Sequence, residues 1–375
     1  MSGAPAVRMA NATLVTAFFT LGDEHAHSSS NYKTWAAAFL GQIRSPMVVS
    51  ADAAALAWLR PLRGSLRAQW ITQRVADLEC VRRYSVNSRP KGRAKHGVNY
   101  NLIMHEKVVL LFRASVANTF GTSHFLWVDA GMWRVPHPFA NWPCPDRLAA
   151  IPAGRLIALN VHPFPKGVLS REWSMREVAA RDPRGDSAGW GVIGGGVFGG
   201  RRGAIERLAA DYFAMLDAMV KAPAGAPRPA ASSDQDIFRR MYLVAPEGFA
   251  LVPAPAAQWC QPAHHAIKTA RSGGHCFAPA ALRGCASSKA GLQPPCAGTA
   301  SAWMYMIAWL AADSERPREK HPDTPHDGCE AGALREPIVY ESARARARLV
   351  RGGDGGGADP VYDRLGLRWC VRPRG

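Results

Sequence analysis

The sequence predicts an α/β domain with a mainly parallel central sheet over residues 11–255. Two observations lead there. Strand-like apolar runs alternate with segments of helical spacing, the signature of helices packed on a sheet. Two runs, Ala12–Phe18 (ATLVTAF) and His124–Val128 (HFLWV), are apolar enough to be buried strands. Hydrophobic residues make up 47% of 375 residues. That suffices for a sizeable core and excludes a fully disordered chain.

Ala12–Phe18 reads as the first strand. Asn31–Gln42 places Tyr32, Trp35, Ala36 and Phe39 at helical spacing. Pro46–Ser50 is a short second strand, and Asp52 can cap the helix that runs to Leu59. Residues 82–100 are basic and poor in apolar residues, and read as a loop. Asn101–Asn118 is a long, mostly apolar helix, and His124–Val128 a strand ending abruptly at Asp129. Arg155–Leu159 reads as a strand and Trp190–Gly200 as a glycine-dense turn. Ala204–Val220 presents Ile205, Leu208, Tyr212, Met215 and Met219 on one helical face. Asp234–Tyr242 reads as a helix and Phe249–Val252 as a last strand. Residues 256–312 form a Cys/His-containing extension. Residues 313–375, rich in Arg, Asp, Gly and Pro, read as a disordered tail.

The net charge is +17, and residues 60–107 alone hold 11 basic against 3 acidic residues. Such a field attracts phosphates, nucleic acid or anionic membrane surfaces without choosing among them. No apolar run approaches the length of a transmembrane segment; Ala302–Ala312 is too short. The N-terminal apolar run reads as a strand, not a signal peptide. A cytoplasmic protein with reduced thiols is expected.

Four constellations could carry chemistry. In HFLWVDAG, Asp129 stands where ligands meet open α/β sheets, outside the carboxyl end of a strand. Gly131 lets the chain turn beside it. A carboxylate there could hold a divalent cation bridging a diphosphate. In GVIGGGVFGGRR, five glycines in seven positions would let a ligand approach the backbone. The following helix N-terminus, with Arg201 and Arg202, would offer an anion site. A tight strand-to-helix bend explains the same glycines. Asp234 and Asp236 open the third constellation, SSDQDIFRRM, as helix caps or as partners of Asp129. The fourth, Cys260, His264, His265, His275, Cys276, Cys285 and Cys296, lacks the regular spacing of a zinc site.

The order of these motifs resembles a known family. TLVTAFF is followed by SSSNYKTWAAAFL and PMVVSAD, then a basic stretch, a long helix with Glu106-Lys107, FLWVDAG, a GG-x-F-GG run and a DQ-containing helix. This is similar to the HtrL/YibB family of lipopolysaccharide-associated bacterial proteins. In layout it is similar to glycosyltransferases of the GT-A fold. The resemblance implies a GT-A-like three-layer sandwich. It also implies a nucleotide-diphosphosugar donor and a glycan or lipid-glycan acceptor. It assigns Asp129, Gly131, Lys107, Gly194, Gly195, Gly196, Gly199 and Gly200 to the donor. Asp234 falls to the acceptor as catalytic residue, and a manganese or magnesium ion to Asp129. The second carboxylate of the usual Asp-x-Asp is missing, since Asp129 is followed by Ala130 and Gly131. Lys107, Arg113 and Arg134 are candidate cations for the leaving diphosphate.

Two other functions compete. Gly194, Gly196 and Gly199 match the G-x-G-x-x-G of an NAD(P)-binding oxidoreductase, though the ribose-binding acid is absent. The basic stretch would suit a non-catalytic, nucleic-acid-binding protein, but aromatics are not interleaved with its basic run as stacking platforms would be.

Overall fold

In the computed structural model, residues 11–21, 29–85, 97–133, 142–162, 164, 166–181, 191–253, 310 and 338–339 are described. Strand β1 (Ala12–Phe18) is followed by α1 (Ser29–Gln42), β2 (Met47–Ala51), α2 (Ala53–Arg63) and β3 (Ala68–Thr72). Asp52 caps α2, accepting from Ala55 N–H at 2.7 Å. The short α3 (Glu79–Tyr84) precedes the long α4 (Val98–Ala117), which ends on Asn118 in the left-handed conformation. Then come β4 (His124–Val128), α5 (Pro145–Ala149), β5 (Leu156–His162), α6 (Lys166–Leu169) and α7 (Met175–Ala180). Strand β6 (Val192–Arg201) runs directly into α8 (Arg202–Val220). Last come α9 (Asp234–Val244), β7 (Phe249–Pro253) and β8 (Ile338–Val339).

The strands form one sheet in the order β3-β2-β1-β4-β6-β5-β7-β8. Strands β1 to β4 are mutually parallel where they pair, as are β5 and β7. Strand β6 is reversed between β4 and β5, and β8 is reversed against β7. The fold is therefore α/β with a mixed, mostly parallel sheet, as the sequence predicts. Period-two alternation feeds two cores. Val15, Phe125, Trp127 and Phe198 face α4, α8 and α9, whereas Leu14, Leu126, Val128 and Val197 face α1 and α2. Helices thus cover both faces of the sheet.

Two sequence expectations need correction. The first is β3, which the sequence reading passes over; it is a half-buried edge strand of five residues whose Gln69 interrupts the apolar pattern. The second is the glycine-dense segment, which is no turn but the ten-residue interior strand β6. Glycine ordinarily weakens a strand. Here a Cβ at Gly200 would lie 2.8 Å from the Arg155 carbonyl oxygen, and one at Gly199 would lie 2.8 Å from Leu126 Cα. Both positions are points of close packing between strands. Three described residues beyond position 255 also join the packed domain. Leu310 is buried, its carbonyl accepting from Cys144 N–H at 2.7 Å, and Ile338–Val339 extends the sheet. The packed domain therefore draws on both later segments. The other residues of those segments, including the Cys/His group, lie outside the described residues.

Candidate functional site

The parallel strand β4 and the reversed β6 lie side by side, and the backbone N–H of Asp129 continues their pairing by donating to Gly196 O at 2.8 Å. Asp129 therefore leaves the carboxyl end of a central strand, beside the change of strand direction. Open α/β sheets commonly bind ligands at such ends.

Two helices aim side chains at this point. Lys107 projects from α4, and Asp234 is the first residue of α9, where Ser233 and Asp236 form a capping box. The Lys107 ammonium lies 2.8 Å from Asp129 Oδ1 and 3.0 Å from Oδ2. It also donates to Asp234 Oδ2 at 2.7 Å and to Gly195 O at 3.2 Å. An ammonium has three N–H donors, and three acceptor groups surround it. Trp127, two residues before Asp129 and so on the same face of β4, donates from Nε1 to Asp129 Oδ1 at 2.7 Å. The Lys107 ammonium also lies 5.9 Å from the Trp127 ring centroid.

Accessibility separates the two carboxylates. The Asp129 side chain is 30% exposed, that of Asp234 1% and that of Lys107 4%. Asp129 is thus open to solvent, whereas Asp234, expected from the sequence at the acceptor, is buried in this structure. Its Oδ1 accepts from Gln235 N–H at 2.9 Å and its Oδ2 is held by Lys107, beneath Gly195. A Cβ on Gly195 would overlap that Oδ2, which is why this position is glycine. Gly196 similarly leaves room for Met132 Sδ, and Gly194 for the side chain of Leu159.

Burial alone would lower the Lys107 pKa, but Asp129 and then Asp234 raise it above the usual lysine range, so the ammonium stays charged. Burial raises the Asp129 pKa; Lys107 opposes this and Asp234 adds to it. The cluster of one cation and two carboxylates carries a net charge of about −1 when both are ionised. Tyr100, near the start of α4, feels Tyr32, Lys107, Asp129 and Asp234, and burial is the main cause holding its hydroxyl in the neutral form. Tyr32 and Trp35 close the other side, Tyr32 Cε1 standing 3.3 Å from where a Gly131 Cβ would be. The sequence reading missed Trp127, Tyr100 and Tyr32 as site residues. Only Trp127 carried a signal, its period-two placement before Asp129.

Other expected parts lie elsewhere. Arg201 pairs with His124, at the amino end of β4, so Arg201, Arg202 and the α8 N-terminus sit at the opposite end of the strand from Asp129. Arg113 acts on Glu106, and Arg134 lies outside the described residues. Gly194, Gly196 and Gly199 are inside a strand, so they do not form the strand-to-helix turn that a dinucleotide fingerprint requires.

The divalent ion implied for Asp129 does not fit. Hard cations need several oxygen ligands at 2.0–2.6 Å, roughly six or more. The space between the two carboxylates holds the Lys107 ammonium, which a metal ion there would have to displace. Among the described residues no three His, Cys, Asp or Glu side chains are placed to hold a metal ion. Also among the described residues, no helix is long and apolar enough to cross a membrane.

No family model matches the chain, and no curated protein matches it. Among solved structures, it is similar to mouse xyloside xylosyltransferase 1 in its apo form. That match has 15% identity, covers 64% of this chain and 84% of that one, and has a TM-score of 0.37. It is also similar to mannose-1-phosphate geranyltransferase from Thermus thermophilus. There the identity is 16%, over 57% of this chain and 68% of that one, with a TM-score of 0.26.

Proposed function

We propose that the chain is a GT-A-like glycosyltransferase that moves a sugar from a nucleotide-diphosphosugar to a hydroxyl group of a glycan or lipid-glycan. One observation carries the reading: a partly exposed carboxylate stands at the carboxyl end of β4, held by a buried Lys107–Asp234 pair. No family model matches the chain; the order of its motifs resembles that of the HtrL/YibB proteins, and that resemblance is what suggests a lipopolysaccharide-type acceptor.

In this reading Asp129 is the base. Its raised pKa brings it closer to the pH at which a carboxylate accepts a proton effectively. The acceptor oxygen bonds to the anomeric carbon, and its proton passes to Asp129. The bond from that carbon to the diphosphate breaks, and the nucleoside diphosphate leaves with the electron pair. Lys107 and Trp127 fix the carboxylate's orientation, and Asp234 acts through Lys107 as a positioning residue.

Release of nucleoside diphosphate from UDP- and GDP-sugars tests this. Asp129→Asn should lower kcat by about 10²–10⁴-fold with little change in donor affinity. Asp234→Asn removes a negative neighbour that raises the Asp129 pKa, so the acidic limb of the pH–rate profile should move to lower pH. Full activity in Asp129→Asn would end this assignment. An unmoved acidic limb in a folded Asp234→Asn would remove the positioning role.

A further inference from the structure

Resting on the transferase reading, we infer that the Lys107 ammonium is the permanent cation of this site. It occupies the position a divalent metal would need, so the chain engages its sugar nucleotide without metal. Three kinds of oxygen converge on Lys107 Nζ: the Asp129 carboxylate at 2.8 and 3.0 Å, Asp234 Oδ2 at 2.7 Å and the Gly195 carbonyl at 3.2 Å. They come from α9, from β6 and from the residue directly after β4, whose N–H is itself held by Gly196 O at 2.8 Å.

Two carboxylates and a carbonyl around one point form the oxygen set of a hard-cation site, lacking only water to complete it. The lysine fills that set from within. Its stem rises from α4 through the protein interior, and its side chain is 4% exposed. A compact ammonium with three donors matches three acceptor groups. An added divalent ion would have to displace a buried, doubly paired lysine. The same arrangement explains why no second acid follows Asp129: the second carboxylate comes from α9, and the cation comes from α4.

Truncating Lys107 should convert the cage into a metal site. The test uses the full chain and manganese alone, read by electron paramagnetic resonance and by thermal unfolding. The parent should bind no stoichiometric manganese, and its unfolding temperature should not respond to it. Lys107→Ala leaves the oxygens and room for water, so it should bind one manganese per chain and be stabilised by it. Lys107→Ala with Asp234→Asn should lose that binding by about tenfold or more. A folded Lys107→Ala that takes up no manganese overturns the inference. So does a parent that binds manganese at this site, with Asp129→Asn abolishing the binding. If Lys107→Ala does not fold, the parent decides alone.

A second arm titrates UDP-glucose, UDP-N-acetylglucosamine and GDP-mannose into the parent in EDTA and in manganese. Equal affinity supports the inference. Binding only with manganese overturns it and leaves the transferase reading standing. Binding in neither condition counts against the transferase reading, and the metal arm then judges the cation inference by itself.

Discussion

Asp129 and Asp234 are chemically identical, yet their surroundings give them different work. One ends a strand at the surface, and the other opens a helix beneath a glycine strand. The sequence made Asp129 legible because an acid directly after an apolar run stands out. It made Asp234 visible as a helix cap, but not as a buried one. Depth depends on Gly195, whose missing Cβ lets the carboxylate lie against β6. Gly195→Ala should therefore displace Asp234, strip Lys107 of a partner and cost about 1–3 kcal/mol in urea unfolding. Gly203 provides the contrast. It lies exposed in α8, and a Cβ there would meet nothing within 4 Å. Gly203→Ala should stabilise by about 0.5–1 kcal/mol through helix propensity. Equal effects at both positions would contradict the packing account of Gly195.

At the scale of elements, period and capping located most strands and helices within a few residues. The glycine strand escaped because its conformation follows from long-range approach by β4, β5 and α9, which no local window contains. The same kind of distant contact ties α3 to α4. Glu106 is fully buried on α4 and accepts from Cys80 N–H at 2.8 Å. Burial pushes its pKa from 4.5 up to about 7, against the pull of the Cys80 N–H. A carboxyl that binds its proton more tightly when folded adds stability below its unfolded pKa and loses it as pH rises through the folded one. Parent stability should thus fall between pH 4.5 and about 7 by an amount on the order of 3 kcal/mol from this group. Glu106→Gln should remove that component, so its advantage over the parent should grow across the same window. Denaturant unfolding at several pH values checks this; a constant difference would show that Glu106 does not titrate there. On the same helix His105 is buried between Tyr212 and Pro229 O, and burial holds its pKa low. The neutral ring donates from Nε2 to the carbonyl and accepts a hydrogen bond from the Tyr212 hydroxyl at Nδ1.

For the whole molecule, two fields differ in sign. The chain carries +17 overall, whereas the cluster at Asp129 is locally negative. Long-range attraction of an anionic donor should therefore come from the whole chain and be screened by salt over about 10 Å at 0.1 M. The buried lysine pairs should be largely insensitive to salt. Donor association should slow as ionic strength rises, measured by stopped-flow tryptophan fluorescence; a salt-independent rate would remove the steering role. The overall charge was legible in composition, but the cluster's sign was not, because it depends on which acids the fold gathers around Lys107. The most direct test of the central claim is a crystal structure of the chain with a bound nucleotide-diphosphosugar. The anomeric carbon should lie beside the Asp129 carboxylate, at the carboxyl end of β4, with Lys107 still paired to both acids. A sugar nucleotide bound at the other end of β4, near Arg201 and Arg202, would contradict it.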